Sequence, residues 1–175
     1  MAEMSSLKDL FEDELRDVYD AEKQIIKALP KMIKAASAPA LSKALAAHLE
    51  ETRGQLVRLE KAFASLDLPA RGKHCSGMEG ILKEGKDLLE EDGHAAVLDA
   101  GFIAAAQRVE HYEITAYGTL IAWAKTLGYR DATSLLQANE GEEKAADVKL
   151  SKLAESGINA AAAAGQDTEE MVADA

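Results

Sequence analysis

The chain has 175 residues, with 31 acidic and 20 basic side chains, a formal net charge of −11 and 47% hydrophobic residues. An acidic chain without a basic block lacks the positive surface that nucleic-acid binding requires, and the apolar content is too high for a disordered protein. No apolar run approaches the roughly 18 residues of a membrane span. Residues 1–6 do not resemble a signal peptide, and the lone Cys75 can form no intrachain disulfide, so we expect a cytoplasmic protein.

Apolar side chains recur three, four and seven positions apart along most of the chain, which is the pattern of helices with one buried face. Abundant Ala, Leu, Glu and Lys with only 3 prolines also favour an all-α protein. Long helices are predicted over residues 7–36, 39–65, 95–127 and 132–156, with a short helix over 77–91.

Residues with capping chemistry flank these helices. Ser5 or Ser6 can cap the first, Ser76 forms a capping box with Glu79 after a loop over 67–77, and Asp131 can cap the last. Gly128 suits a left-handed helix end.

The end of the chain is predicted to be a separate segment. Gly157 ends the last helix, and an Ala-rich, acidic stretch follows it. We therefore expect a helical domain over residues 1–157 and a flexible tail over 158–175.

The lengths of the connections predict how the long helices are arranged. Short links make antiparallel hairpins of the first and second helices and of the third and fourth. Residues 66–94 are long enough to cross the bundle, with the short helix in transit. Two hairpins joined by one long crossover form a ferritin-like four-helix bundle.

Several acids lie on or beside the apolar helix faces, where a bundle would bring them together near its middle. This inward set comprises Glu22 in the first helix, Glu51 and Gln55 in the second, Glu110 and Glu113 in the third, and Glu143 and Asp147 in the fourth.

Burial of such a set has a large energetic consequence. Each buried ionised carboxylate costs several kcal/mol, and six of them would exceed the roughly 5–15 kcal/mol net stability of a domain. The acids must therefore be protonated, hydrated or bound to cations. The spacing favours two divalent metal ions, with a water-filled or salt-bridged core as the alternative.

Other side chains near these acids have two interpretations each. His48 is a candidate additional ligand, although a histidine at the margin of a helix face is more often structural. Tyr19, Tyr112 and Tyr117 could hydrogen-bond ligating carboxylates or simply pack in the core. His111 points away from its acidic neighbours and is predicted to lie at the surface.

Three segments together resemble a known family: LFEDELRDVYDAEKQ at 10–24, VEHYEITAYGTL at 109–120 and EEKAAD at 142–147. In order and spacing they are similar to the YciE/YciF ferritin-like stress proteins, over about residues 5–157. The resemblance implies a four-helix bundle with an extra crossover helix, a homodimer, a role in stress responses and a dinuclear metal site.

The wider ferritin-like pattern is one Glu from each of two helices and Glu-x-x-His from each of the other two. Glu22 and Glu113 match the single-Glu positions, and Glu110 is an additional acid. The chain departs from the pattern at Gln55 and Asp147, which stand four residues after an acid, where the pattern has His three residues after it. This almost all-oxygen set of ligands weighs against strong redox chemistry. Iron is the first candidate for the bound metal, manganese is the next, and magnesium or calcium are further candidates.

Two functions follow from these observations. In the first, the inward set holds two metal ions in a ferroxidase-like or peroxide-consuming oxidoreductase, with dioxygen or peroxide as the oxidant. In the alternative, the chain is a non-catalytic, metal-stabilised bundle that acts as a dimer or by binding a partner.

Overall fold

The structure is a computed structural model that describes residues 4–165. Its helices are α1 (Leu7–Ala35), α2 (Pro39–Ser65), α3 (Ser76–Leu89), α4 (Ala95–Leu127) and α5 (Arg130–Leu153). A segment with a kink at Gly157, Ala154–Ile158, follows α5, and residues 159–165 are again helical. The described part of the chain contains no strand, which confirms the all-α prediction, and none of its helices is long and apolar enough to cross a membrane.

The four long helices form a closed ring in which α1 and α5 each pack against both α2 and α4. Neighbours run in opposite directions: Ile25 of α1 shares one apolar cluster with Ile103 of α4, whereas Leu15 shares the other cluster with Leu120. The predicted ferritin-like four-helix bundle is confirmed. Because α2 and α4 are diagonal and parallel, the chain between them must return along the bundle, and α3 packs against α1 and α4 on the way.

The bundle core consists of two apolar clusters separated by a polar layer. One cluster contains Ile25, Leu49, Val109 and Leu150, and the other contains Val18, Leu59, Ala116 and Leu136. Between these positions, each long helix carries at least one buried polar residue. The polar layer therefore lies near the middle of the bundle, where the sequence predicted that the acids would meet.

The predicted helix ends are partly correct. The Ser6 side chain accepts a hydrogen bond from the backbone N–H of Asp9, and Gly128 has the left-handed φ of 78°. The capping box is wrong, because Cys75 caps α3 and its Sγ accepts from the N–H of Met78 at 3.4 Å. The Asp131 cap is also wrong, because α5 begins at Arg130, two residues before the predicted start, and Asp131 lies in its first turn.

The predicted break of the last helix at Gly157 is confirmed. The backbone leaves helical geometry there (φ 168°, ψ −31°) but returns to it through residue 165. Ile158 packs against the apolar cluster that contains Leu150, and this contact holds the chain beyond Gly157 on the bundle. Residues 166–175 lie outside the described range, and the division into a domain and a flexible tail stays a prediction.

A buried carboxylate fixes the connection between α1 and α2. Asp99 of α4 is 2% exposed, and its two oxygens accept from the backbone N–H groups of Ser37 and Ala38 at 2.8 and 2.7 Å. These N–H groups precede Pro39 and have no helical partner. The contact therefore ties the turn of the first hairpin to the first turns of α4.

We expect Asp99→Ala to lower the free energy of unfolding by about 1–3 kcal/mol, because two backbone donors lose a charged acceptor. Denaturation in urea measures the change. Asp99→Asn, which keeps the shape and one carbonyl acceptor, should lose less. Equal stability of wild type and Asp99→Ala would contradict this role.

Candidate metal centre

The polar layer brings together acids from three helices. The side chains of Glu22 in α1, Glu110 and Glu113 in α4 and Glu143 in α5 are at most 1% exposed. We call these four residues the carboxylate cluster. The predicted helical spacing placed all four inward, and the structure places them there.

One nitrogen ligand reaches the carboxylate cluster from α2. A single ligand atom from each of His48, Glu110, Glu113 and Glu143 can be chosen so that the four atoms lie within 4.8 Å of one another. The Nε2 atom of His48 is 3.4 Å from Oε1 of Glu110. These separations are short enough for one ion to contact all four side chains.

The most informative property of the site is its unused hydrogen-bonding capacity. Buried side-chain atoms without a hydrogen-bond partner occur on Glu22, His48, Gln55, Glu110, Glu113 and Glu143. Buried polar groups in native proteins are almost always paired. A concentration of unpaired acceptors at one place is therefore the arrangement expected of ligands to a cation.

Electrostatics point the same way. Burial, followed by the repulsion of Glu22 and Glu143, raises the pKa of Glu113 well above its usual value. Burial also raises the pKa values of Glu22 and Glu110. Within residues 4–165, no lysine or arginine forms a salt bridge with the carboxylate cluster. The cluster therefore has no direct lysine or arginine partner in this range, and the charge of Arg58 lowers the pKa of Glu22 less than burial raises it.

A chain of hydrogen bonds supports the carboxylate cluster on the side where the apolar cluster with Val18 and Leu136 lies. The hydroxyl of Tyr117 donates to Glu22 and accepts from Nδ2 of Asn139 at 3.0 Å. Arg58 donates to Oδ1 of Asn139 and also pairs with Glu142. This chain leads from a buried carboxylate to the half-buried guanidinium and fixes the orientation of Glu22.

Gln55 lies in the layer but has a different contact from the one predicted. Its amide nitrogen donates to Glu143, and its Oε1 has no partner. Gln55 therefore orients a carboxylate through one atom and leaves the other free for a cation.

Two predicted ligands lie outside the buried layer. Glu51 is exposed, and its nearest contact to the site is Nδ1 of His48 at 3.9 Å. Asp147 is partly exposed and contacts Gln107 and His111 at 2.9 and 3.3 Å. The buried polar side chains of α2 are His48, Thr52 and Gln55, so Glu51 falls on the flank of that face.

Of the three tyrosines named as candidate supporting residues, only one contacts the carboxylate cluster. Tyr117 contacts the cluster, as predicted for a supporting residue. Tyr19 donates instead to Glu60, and Tyr112 contacts Asp17 and Cys75, all at 3.1 Å. His111 is exposed, as predicted.

The sequence interpretation missed Asn139 and Arg58. Asn139 stands three residues after Leu136 and four before Glu143, so the spacing that selected the acids could have selected it as well. Arg58 carries no such signal, because its position on α2 is only half-buried and its role depends on α5.

Openings on two sides reach the centre. A cleft of about 70 Å³ on the side of α2 and α5 is lined by His48, Glu51, Glu110 and Lys149, among others. A wholly apolar cavity of about 30 Å³ on the side of α1 and α3 also reaches His48 and Glu110. Charged side chains form part of the wall of the first, although most of its lining is apolar.

Comparison with known proteins gives a consistent result. The domain of unknown function DUF892 matches residues 6–163. Protein YciF of Escherichia coli (strain K12) is 45% identical over 157 residues, 89% of this chain and 95% of that protein.

Solved structures are similar as well. The crystal structure of the E. coli stress protein YciF matches with a TM-score of 0.86 over 89% of this chain and 99% of that one, at 45% identity. YcfI of Rhodopseudomonas palustris matches at 0.84 over 85% and 95%, with 47% identity. A protein from Xanthomonas campestris pv. campestris matches at 0.70 over 94% and 99%, and its 17% identity supports the fold alone.

We expect Glu113→Gln to stabilise the metal-free protein relative to wild type by an amount that increases as the pH rises above 4.5. A carboxyl whose pKa is raised by folding costs nothing below its unfolded pKa, near 4.5, and costs progressively more as the pH approaches the folded value. Denaturation in EDTA between pH 4.5 and 8 measures the difference. The control Glu91→Gln, at an exposed position, should show no such trend, and a pH-independent difference for Glu113→Gln would count against the assignment.

Proposed function

The chain belongs to the DUF892 family and is YciF-like, and we propose that it is a stress-response protein that binds divalent metal ions in its carboxylate cluster. The observation that carries this proposal is the group of unpaired buried oxygens beside the buried imidazole of His48 at one level of the bundle. An apo-protein with this layer bears a desolvation cost that bound cations would remove. The stress-response role rests on the likeness to the E. coli stress protein.

The side chains present fit two ions. His48, Glu110, Glu113 and Glu143 would hold one of them. Glu22 and the free Oε1 of Gln55, with Glu113 and Glu143 shared, would hold the second. Five oxygen-bearing side chains with a single imidazole favour iron or manganese over zinc or copper, and they also admit magnesium or calcium.

With iron bound, the centre would supply electrons for the reduction of dioxygen or peroxide. The protein's own contribution would be to fix the carboxylates through Tyr117 and Gln55 and to keep bulk water out between the two apolar clusters. The cleft beside His48, with a volume of about 70 Å³, has room for an oxidant of a few atoms. The function that follows is oxidation of Fe²⁺ at the expense of a small oxidant.

A second candidate is a non-catalytic bundle that metal stabilises, acting as a dimer. The single nitrogen in the set favours it, because a hard oxygen shell suits ions that undergo no redox change. Dimer formation and a cytoplasmic location stay predictions.

Metal content tests the binding step. We expect protein purified without chelator or affinity metal to contain up to two ions per chain by elemental analysis. Glu143→Gln should lose most of this metal, because Glu143 contributes to both positions. Glu51→Gln, at the exposed flank, should retain it. Equal metal content in the two variants would refute the assignment.

Anaerobic addition of Fe²⁺ followed by peroxide separates the two candidate functions. Two Fe²⁺ ions give one electron each, and one H₂O₂ with two protons becomes two water molecules. Catalysis predicts ferric absorbance and peroxide loss faster than in Glu143→Gln. A higher melting temperature with metal, but no oxidation above that of the variant, would select the structural function.

Tyr117→Phe should weaken metal binding by about 10–100-fold, because loss of a hydrogen bond to a ligating carboxylate typically has this effect. Competition with a fluorescent chelator measures the affinity. Tyr19→Phe is the matched control, since its hydroxyl bonds Glu60 outside the cluster. An unchanged affinity in Tyr117→Phe would show that Glu22 needs no such support.

A further inference from the structure

A groove of about 530 Å³ lies where α3 packs across α1 and α4, on the side of the bundle away from the cleft between α2 and α5. Its floor is apolar and includes Ala28, Met32, Leu82 and Val109. The volume falls within the roughly 300–1,000 Å³ of small-molecule sites, whereas protein partners bind larger and flatter surfaces. The groove therefore has the size and lining of a site for a small, largely apolar ligand.

The rim of the groove is positively charged. Lys27 and Lys31 of α1 and Lys83 and Lys86 of α3 line it, in a chain whose net charge is −11. Lys86 pairs with Glu90 at 3.2 Å, but the other three lysines form no salt bridge within the described residues.

A single acid, Glu79, lines the same groove, and its carboxylate already contacts Nε2 of His74 at 3.1 Å. The unpaired ammonium groups therefore lack local counter-charges from the protein. An anionic ligand would supply them.

We propose that this groove binds a small anionic amphiphile of the class of long-chain carboxylates. The hydrocarbon chain lies on the apolar floor along α3, whose 14 residues give the groove a length of about 20 Å. The carboxylate lies among the rim lysines. Both halves of the ligand thus meet matching chemistry, which neither a simple anion nor an uncharged apolar molecule would do.

The same floor separates the groove from the centre of the bundle. Ala28, Met32, Leu82 and Val109 also line the apolar cavity that reaches His48 and Glu110. A bound chain would therefore lie against the side chains that wall the carboxylate cluster. Binding itself requires no metal, so it can be tested independently of the proposed function.

Fluorescence titration of the metal-free, full-length protein with dansyl-undecanoate tests the proposal. We expect saturable binding that dodecanoate displaces. Dodecanol, which lacks the charge, and acetate, which lacks the chain, should each displace the probe at least tenfold less effectively. Equal displacement by dodecanol, or no saturable binding, would overturn the proposal.

Two pairs of variants locate the site. The triple variant Lys27→Gln, Lys31→Gln and Lys83→Gln should bind the probe about tenfold more weakly than the triple variant Lys43→Gln, Lys61→Gln and Lys125→Gln, which has the same net charge. Gly80→Trp should block the groove, because Gly80 lines it and a Cβ there meets no atom within 4 Å. Gly141→Trp, equally open but on α5, is the control. Unchanged binding in both groove variants would overturn the assignment.

Light scattering on the same samples tests whether another copy of the chain covers the groove. Retention of the wild-type mass in the groove variants, with loss of probe binding, supports a ligand site. A fall in mass caused by Gly80→Trp, or by dodecanoate, would replace the proposal with an interface between copies. Deletion of residues 166–175 should leave the affinity unchanged; a tighter probe affinity would assign the groove to that acidic segment instead.

Discussion

Four carboxylates lie out of water between two apolar clusters, and burial of even one such ion costs several kcal/mol. The remainder of the centre follows from this cost. No lysine or arginine of the described residues pairs with the four, so the protein provides only hydrogen bonds from Tyr117 and Gln55 and the imidazole of His48. Burial raises the pKa values of Glu22, Glu110 and Glu113, so protonation removes part of this cost, whereas bound cations would remove it with the carboxylates ionised.

Within the antiparallel ring of helices, the carboxylates can be buried only near the middle of the bundle. There the two apolar clusters shield it from both ends, and every long helix contributes a side chain at the same level. The hydrogen bonds from Arg58 through Asn139 to Tyr117 cross from α2 to α5 to α4. They connect three helices through the layer, so the orientation of Glu22 depends on the packing of the whole bundle.

The centre has different surroundings on its two sides. The cleft between α2 and α5 includes the charged side chains of Glu51 and Lys149 in its lining, while the cavity towards α1 and α3 is wholly apolar. His48 and Glu110 line both. The crossover that returns the chain from α2 to α4 creates this asymmetry, because α3 covers one side of the bundle and leaves the other open.

The sequence by itself determined the five helices and, through the lengths of the connections, their hairpin pairing. It also determined the inward position of Glu22, Glu110, Glu113 and Glu143, because the 3.6-residue period puts them in register with an apolar face. The tertiary structure decided the rest. Glu51 and Asp147 stand at the margin of a face, where a small rotation of the helix decides between core and surface. The roles of Asn139, Arg58 and Asp99, and the second helical stretch after Gly157, depend on partners from other helices, which no local pattern records.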